Sequence, residues 1–429
     1  MTFSVFNFGC KVNQYESQIM TELMLARGYV HTGDKENADI IIINSCTVTA
    51  VSDNKVMKFI RHLRRKNENA IIVLTGCLPQ AYPNLSDNFS QVDIVLGNAM
   101  RSELPDEIEH FLRTHEQIIN VHKYTKNSDF ELVSVSKFDE RTRAFIKIED
   151  GCNRYCSYCI IPYARGPVRS KPIDILKKEL THLAGCGYKE IVLVGINLSA
   201  YGRELGLHLC DAVECACSID GIERVRLGSL EPERMDKESI ERLSKLDKFC
   251  PQFHLSLQSG CSDTLRRMNR HYTADEYKRI VNDLRNVFKN CSITTDVMVG
   301  FAGETDDEFT QSLEFVKEIS FAKVHVFPYS QREGTAAAKA PNQVDNSVKS
   351  MRSKRMIEVT NITRSAFLES QVGLTEEVLY EQPTKDGFWE GYTKNYTPVK
   401  VKSDRELNGE ILPTKLIRVD GDFCIGELV

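Results

Sequence analysis

The chain has 429 residues, 41% hydrophobic and 27% charged, which is too apolar for a disordered chain and too charged for one built of membrane spans. At roughly 100–200 residues per domain, this length predicts two to four domains, each able to bury its own core. Lys and Arg number 55 against 60 Asp and Glu, a net charge of -5, so no bulk positive field holds nucleic acid and any polyanion contact has to be local.

Residues 2–8 alternate in polarity, without the basic start and continuous apolar run of a signal peptide. No stretch approaches the roughly 18 apolar residues of a membrane helix, so the expected location is the cytoplasm, with no membrane partner. A reducing compartment disfavours disulfides, and the 14 cysteines are therefore read first as metal ligands or catalytic groups.

Over 1–125 the pattern predicts strand 3–8, helix 13–27, strand 39–44, helix 49–66, strands 70–75 and 92–96, and helix 101–113. This is an open α/β domain with a mostly parallel sheet. The continuous apolar runs at 40–43 and 71–74 fit strands covered on both faces. Cys10, Cys46 and Cys77 each follow a predicted strand closely, and ligands in open α/β sheets bind outside the carboxyl ends of the strands. The three thiols are expected to converge there, with Gly9 and Gly76 relieving crowding; the alternative is three small core residues.

A polar connector over 126–137 precedes six strand candidates, 144–149, 190–195, 224–229, 252–257, 292–299 and 322–327, with helices 172–185, 235–247, 273–289 and 305–319 between them. The repeat predicts a partial (β/α)6 barrel whose chemistry lies at the carboxyl ends of its strands, within a unit spanning 126–367. A helix over 346–367 leads to 368–429, where short alternating runs at 376–380, 398–402, 415–419 and 423–428 predict a small β-barrel.

Directly after the first barrel strand comes Asp150-Gly151-Cys152-Asn153-Arg154-Tyr155-Cys156-Ser157-Tyr158-Cys159. A Cys-x3-Cys-x2-Cys loop can hold three irons of a 4Fe-4S cube and leave the fourth open and reactive. Zinc competes, but structural zinc wants four closed ligands and no fourth Cys or His stands nearby at usual spacing.

This triplet, with Tyr158 before its third cysteine, resembles the radical S-adenosylmethionine signature. The resemblance implies that the open iron binds the amino and carboxylate groups of S-adenosylmethionine, whose reductive cleavage yields a hydrogen-abstracting radical. Gly195, Asn197, Ser229, Ser256, Gln258 and Asp296, at or near strand ends, are then plausible cofactor contacts, although each also suits a turn.

The whole length resembles the radical methylthiotransferases, which have an N-terminal three-cysteine domain, a radical barrel and a C-terminal TRAM barrel. The matching stretches are Gly9–Ser17 (Gly-Cys-Lys-Val-Asn-Gln-Tyr-Glu-Ser), Asn44–Val48, Thr75–Cys77, Ile160–Gly166, His254–Gly260, and Thr295–Val297 with Gly300-Phe301. The resemblance implies that Cys10, Cys46 and Cys77 hold a second 4Fe-4S cluster carrying the sulfur to be inserted. It also implies two molecules of S-adenosylmethionine per turnover and an electron donor such as flavodoxin or ferredoxin.

Residues 9–16 look like the subgroup acting on N6-threonylcarbamoyladenosine at position 37 of the tRNA anticodon loop. Alternatives are isopentenyladenosine 37 or a ribosomal-protein residue, and from another class an iron-sulfur sensor without turnover. Local basic clusters for phosphate contact are Arg61, Arg64, Arg65 and Lys66; Arg165, Arg169 and Lys171; and Lys349, Arg352, Lys354 and Arg355. Residues 368–429 are acidic, with seven basic against twelve acidic residues, yet Lys394, Tyr396, Lys400 and Lys402 with Trp389 and Tyr392 could form a basic, aromatic face. The other eight cysteines read as small buried apolar residues.

Overall fold

A computed structural model describes residues 1–83, 89–126, 128–137 and 142–429; of the connector, Asn127 lies outside the described residues. The first unit comprises β1 (Thr2–Asn7), α1 (Lys11–Ala26), β2 (Val30–His31), β3 (Ile40–Ser45), α2 (Ala50–Lys66), β4 (Ile71–Gly76), α3 (Cys77–Ala81), β5 (Ile94–Leu96), α4 (Leu104–Thr114) and β6 (Ile118–Asn120). Its six strands form one parallel sheet in the order β2-β1-β3-β4-β5-β6. Strands β3 and β4 are buried throughout because alternate residues face opposite helical layers. Ile41, Ile43, Ile72 and Leu74 meet Val56, Ile60 and Leu63 of α2, while Ile40, Ile42 and Val73 meet Met20, Leu104 and Ile108 on the other face.

The second unit contains β7 (Arg143–Lys147), β8 (Glu149–Asp150), α5 (Ile161–Arg165), β9 (Arg169–Ser170), α6 (Ile173–Gly185), β10 (Glu190–Val194), α7 (Leu209–Cys217), β11 (Arg224–Leu227), β12 (Ser229–Leu230), α8 (Lys237–Ser244), β13 (Gln252–Leu255), α9 (Ser262–Arg267), α10 (Ala274–Val287), β14 (Ser292–Val299), α11 (Asp306–Ile319), β15 (Lys323–Pro328) and α12 (Asn346–Gln371). Parallel strands pair as β7-β10-β11 and as β12-β13-β14-β15. The third predicted stave is thus split at Gly228, whose N–H donates to Leu193 O at 2.9 Å. Capping boxes at Thr273 with Glu276 and at Thr305 with Glu308 start α10 and α11. Helix α1 inserts Val12, Tyr15 and Ile19 into this unit's hydrophobic core, which ties the first sheet to β7.

The last five strands, β16 (Thr375–Pro383), β17 (Phe388–Thr393), β18 (Pro398–Lys402), β19 (Ile411–Asp420) and β20 (Phe423–Leu428), close a barrel in the order β16-β17-β18-β20-β19. It docks through backbone carbonyls. Arg224 donates to Tyr392 O at 3.0 Å and Glu377 O at 2.7 Å, and Arg226 to Lys394 O at 2.9 Å.

This docking corrects the expected aromatic and basic face. Trp389 packs inside the barrel; Tyr392 and Tyr396 stack 4.4 Å apart under Arg143; Lys394 pairs with Glu377 and Lys400 with Glu390. Among the remaining cysteines, Cys210, Cys250, Cys261 and Cys424 are buried as expected, Cys215, Cys217 and Cys291 are half-buried, and Cys186 is exposed.

Candidate active site

Strands β1, β3 and β4 are adjacent and parallel, so their carboxyl ends bring Cys10, Cys46 and Cys77 to one edge of the sheet. Cys10 caps α1, Cys46 follows β3 directly and Cys77 opens α3. The flanking glycines are required sterically. A Cβ on Gly9 would lie 2.3 Å from Asn13 Cγ, and one on Gly76, at φ +99°, would lie 2.3 Å from Ser45 O. Asn13 fixes the turn by accepting from Cys10 Sγ at 3.3 Å and donating to Asn44 Oδ1 at 3.0 Å and Ser45 O at 3.2 Å. Burial, then the neighbouring Cys77 and Cys10 sulfurs, push the Cys46 thiol up to about 12.

The second triad lies between β8 and α5. Gly151, at φ +90°, brings its backbone so close to Pro167 that a Cβ would sit 1.9 Å from the carbonyl oxygen. Cys152 N–H donates to Gly166 O at 3.0 Å, and Cys159 N–H to Cys156 O at 2.9 Å. Burial, followed by Cys156, raises the Cys159 thiol to about 12. Tyr158 packs edge-on to Phe301, with centroids 6.3 Å apart. Arg270 Nη1 donates to Cys156 Sγ at 3.3 Å.

Between the triads lies a buried ion network. Glu16 of α1 meets Arg101 and Lys147, each at 3.1 Å, and Arg165, whose Nε donates to Cys77 Sγ at 3.2 Å. Asn98 Nδ2 joins the halves from the other side, donating to Ala164 O at 3.1 Å. Burial alone would raise the Glu16 carboxyl, but Arg101, Arg165 and Lys147 outweigh it and hold it at about 2.

The network removes several residues expected to grip phosphate. Arg165 is fully buried, Arg169 lies over the Tyr124 ring and Lys171 pairs with Glu179. Lys349 and Arg352 are likewise buried, with Arg352 on Glu304, and Arg64 is held by Asp93. Arg61, Arg65, Lys354 and Arg355 remain exposed.

Residues 2–97 match the uncharacterized protein family UPF0004, and residues 146–316 match the radical SAM superfamily. The threonylcarbamoyladenosine tRNA methylthiotransferase MtaB of Thermotoga maritima is 37% identical over 435 residues, covering 100% of this chain and 98% of that protein. The chain belongs to the radical S-adenosylmethionine methylthiotransferase family. It is accordingly an enzyme, a transferase whose cofactors are S-adenosylmethionine and two 4Fe-4S clusters. The Bacillus subtilis protein of the same name is 34% identical, covering 100% of this chain and 96% of its own. A tRNA-2-methylthio-N(6)-dimethylallyladenosine synthase of Pelotomaculum thermopropionicum is also 34% identical, covering 96% and 94%. Among solved structures, the radical S-adenosylmethionine methyltransferase TsrM of Kitasatospora setae shares the fold, with TM-score 0.59 and 14% identity over 79% of this chain and 77% of that one.

The donor set of this methylthiotransferase fits such clusters. Each triad offers three thiols and no other ligand type, Cys10, Cys46 and Cys77 at adjacent strand ends and Cys152, Cys156 and Cys159 in one loop, and thiolates are the ligands that iron-sulfur clusters take.

The expected cofactor contacts divide. Gly195 allows Glu149 to approach, since a Cβ there would lie 2.6 Å from Glu149 Oε2, and Asn197 N–H donates to that oxygen at 2.6 Å. Asn197 also lines a cavity of about 260 Å³ with Asn153, Arg154, Arg203, Arg234 and His271. Gln258, at φ +67°, is buried and its Oε1 has no hydrogen-bond partner among the described residues, which leaves an acceptor for a cofactor donor. Ser256 presents its carbonyl to Arg270 and Tyr272. Asp296 instead holds His254 Nε2 at 3.2 Å, and Ser229 is exposed, opposite His254 in register.

Sequence reasoning missed Glu149, Glu16 and Arg270. Glu16 carried a signal, a charge on the stripe of α1 that also bears Val12, Tyr15 and Ile19; Arg270, in an arginine-rich stretch, carried none.

Proposed function

We propose that this enzyme inserts a methylthio group at C2 of N6-threonylcarbamoyladenosine at position 37 of tRNA, with Cys152, Cys156 and Cys159 holding the S-adenosylmethionine-binding cluster and Cys10, Cys46 and Cys77 the auxiliary one. The observation that carries this reading is the pair of thiol triads, one at the edge of the N-terminal sheet and one after the first barrel strand, with Arg165 of α5 donating to Cys77 of the first. The units are taken as 1–125 for the auxiliary cluster, 126–367 for the radical barrel and 368–429 for the TRAM barrel.

When bound, the clusters and S-adenosylmethionine supply sulfonium cleavage, hydrogen abstraction and the transferred sulfur. The chain supplies position. Gln258 offers its unpartnered amide oxygen, Asn197 and Gly195 shape the wall beside Glu149, and Tyr158 with Phe301 closes an apolar side near the triad. Glu149 is buried, its Oε1 has no hydrogen-bond partner among the described residues, and burial raises its carboxyl well above the usual range.

The threonylcarbamoyl substrate is favoured by the Gly9–Glu16 stretch and by the names of two relatives that match the whole chain. Among the described residues no helix is long and apolar enough to cross a membrane, and the assigned location is the cytoplasm. The partners are the tRNA anticodon loop and a reducing protein such as flavodoxin or ferredoxin.

The test uses reconstituted enzyme, dithionite, S-adenosylmethionine and two tRNA substrates, one carrying threonylcarbamoyladenosine and one dimethylallyladenosine at position 37. Methylthiolation of the first alone is expected. Methylthiolation of the second alone would move the enzyme to the other branch represented among its relatives.

A further inference from the structure

The two triads repeat one arrangement, a cysteine sulfur, a guanidinium and a carboxylate in series. Arg165 Nε donates to Cys77 Sγ at 3.2 Å while its Nη atoms hold both oxygens of Glu16, Nη2 at 2.9 Å. Arg270 Nη1 donates to Cys156 Sγ at 3.3 Å while Nη2 holds Glu231 and the Ser256 carbonyl. Arg165 is 0% and Arg270 8% exposed, so water does not screen either contact strongly. Each arginine comes from outside the triad that it touches. Arg165 ends α5, just past the radical loop, yet reaches across to Cys77 of the N-terminal sheet. Arg270 follows α9 and reaches back to Cys156.

Hydrogen bonds to sulfur and local charge are among the levers that set iron-sulfur potentials, and groups behind the ligands tune a metal site much as the ligands do. A cation that donates N–H to a ligand sulfur stabilises the more negative, reduced cluster and raises its potential. The carboxylate behind each arginine fixes the guanidinium and partly offsets its charge.

We propose that Arg165 and Arg270 are positioning residues that set the two cluster potentials separately, Arg165 acting on the auxiliary cluster through Cys77 and Arg270 on the radical cluster through Cys156. This rests on the assignment of the two triads to two clusters. Separate control suits two clusters with different tasks in one enzyme, one reducing S-adenosylmethionine and the other presenting sulfur.

The test is a potentiometric titration followed by electron paramagnetic resonance. It uses full-length reconstituted enzyme in which Cys152, Cys156 and Cys159, or else Cys10, Cys46 and Cys77, are replaced by Ala so that one couple is read at a time. Arg165→Gln is expected to lower the auxiliary midpoint by about 59 mV, a tenfold change in its reduction equilibrium, and to leave the radical couple in place. Arg270→Gln is expected to do the reverse. Should Arg165→Gln lose its irons, Glu16→Gln reads the same lever with opposite sign, because removing the offsetting charge is expected to raise the auxiliary potential.

Midpoints that stay unmoved, or that shift together in both couples, would overturn the proposal. Iron analysis separates this failure from failure of the underlying reading. Wild-type enzyme with about eight irons but insensitive potentials refutes the role of the arginines, whereas enzyme that binds only one cluster refutes the two-cluster assignment.

Discussion

Arg165 and Glu16 illustrate what a residue's surroundings decide. In the sequence Arg165 stands beside the radical loop, and a basic residue in that place suggests a phosphate contact; in the fold it is buried between Glu16 and Cys77. The placement of the six cysteines, three at the ends of adjacent strands and three in one loop, was legible because spacing and position after strands survive folding, whereas the use of a charge depends on burial, which sequence pattern does not reveal for isolated arginines. Replacing Cys10, Cys46 or Cys77 by Ala is expected to leave S-adenosylmethionine cleavage intact but stop sulfur insertion. Replacing Cys152, Cys156 or Cys159 is expected to abolish both; quantifying 5'-deoxyadenosine beside methylthiolated product distinguishes these outcomes. Gly151→Ala is expected to cost about 2 kcal/mol or more, since a Cβ would enter both a left-handed conformation and the Pro167 carbonyl. Unchanged thermal stability and iron content in that variant would contradict this account of the loop.

At the scale of elements, long periodic segments were readable and short ones were not. Helices α6, α10 and α11 match their predicted ranges to within two residues at each end, because their apolar period is regular and, for α10 and α11, Thr273 and Thr305 cap the start. Strand β2 was missed because both its residues are exposed and carry no alternation, and the third barrel stave was read as continuous across Gly228. The docking of the small barrel on β10 and β11 depends on Glu190, which gathers Arg226, Arg143 and Arg224. Burial alone would raise the Glu190 carboxyl, but these three cations outweigh it and hold it below the usual range. A depressed folded pKa stabilises above the unfolded value of about 4.3, and that contribution disappears as pH falls through the folded value. Glu190→Gln is therefore expected to lower thermal stability at pH 7 and to converge with wild type in stronger acid. The single tryptophan, Trp389, reports unfolding of the docked barrel by fluorescence. An equal stability deficit at both pH values would contradict the ion-pair explanation.

Over the whole molecule, charge bears on how RNA is held. The chain carries a net -5 and its last 62 residues are acidic, while burial withdraws Arg165, Arg169, Lys171, Lys349 and Arg352 from phosphate contact. Arg61 remains exposed and lines a cavity of about 440 Å³ that reaches Leu78, next to Cys77. Arg61→Ala is expected to weaken tRNA binding and reduce the slope of log affinity against log salt by about 0.7 to 0.9, the loss of one phosphate contact. An unchanged slope in filter binding would place the anticodon arm elsewhere. The central claim concerns the product, and mass spectrometry of tRNA nucleosides from cells lacking this protein, with and without the gene restored, tests it most directly. Restoration of 2-methylthio-N6-threonylcarbamoyladenosine is expected; its level remaining unchanged while another methylthiolated nucleoside or a ribosomal-protein residue follows the gene would contradict the assignment.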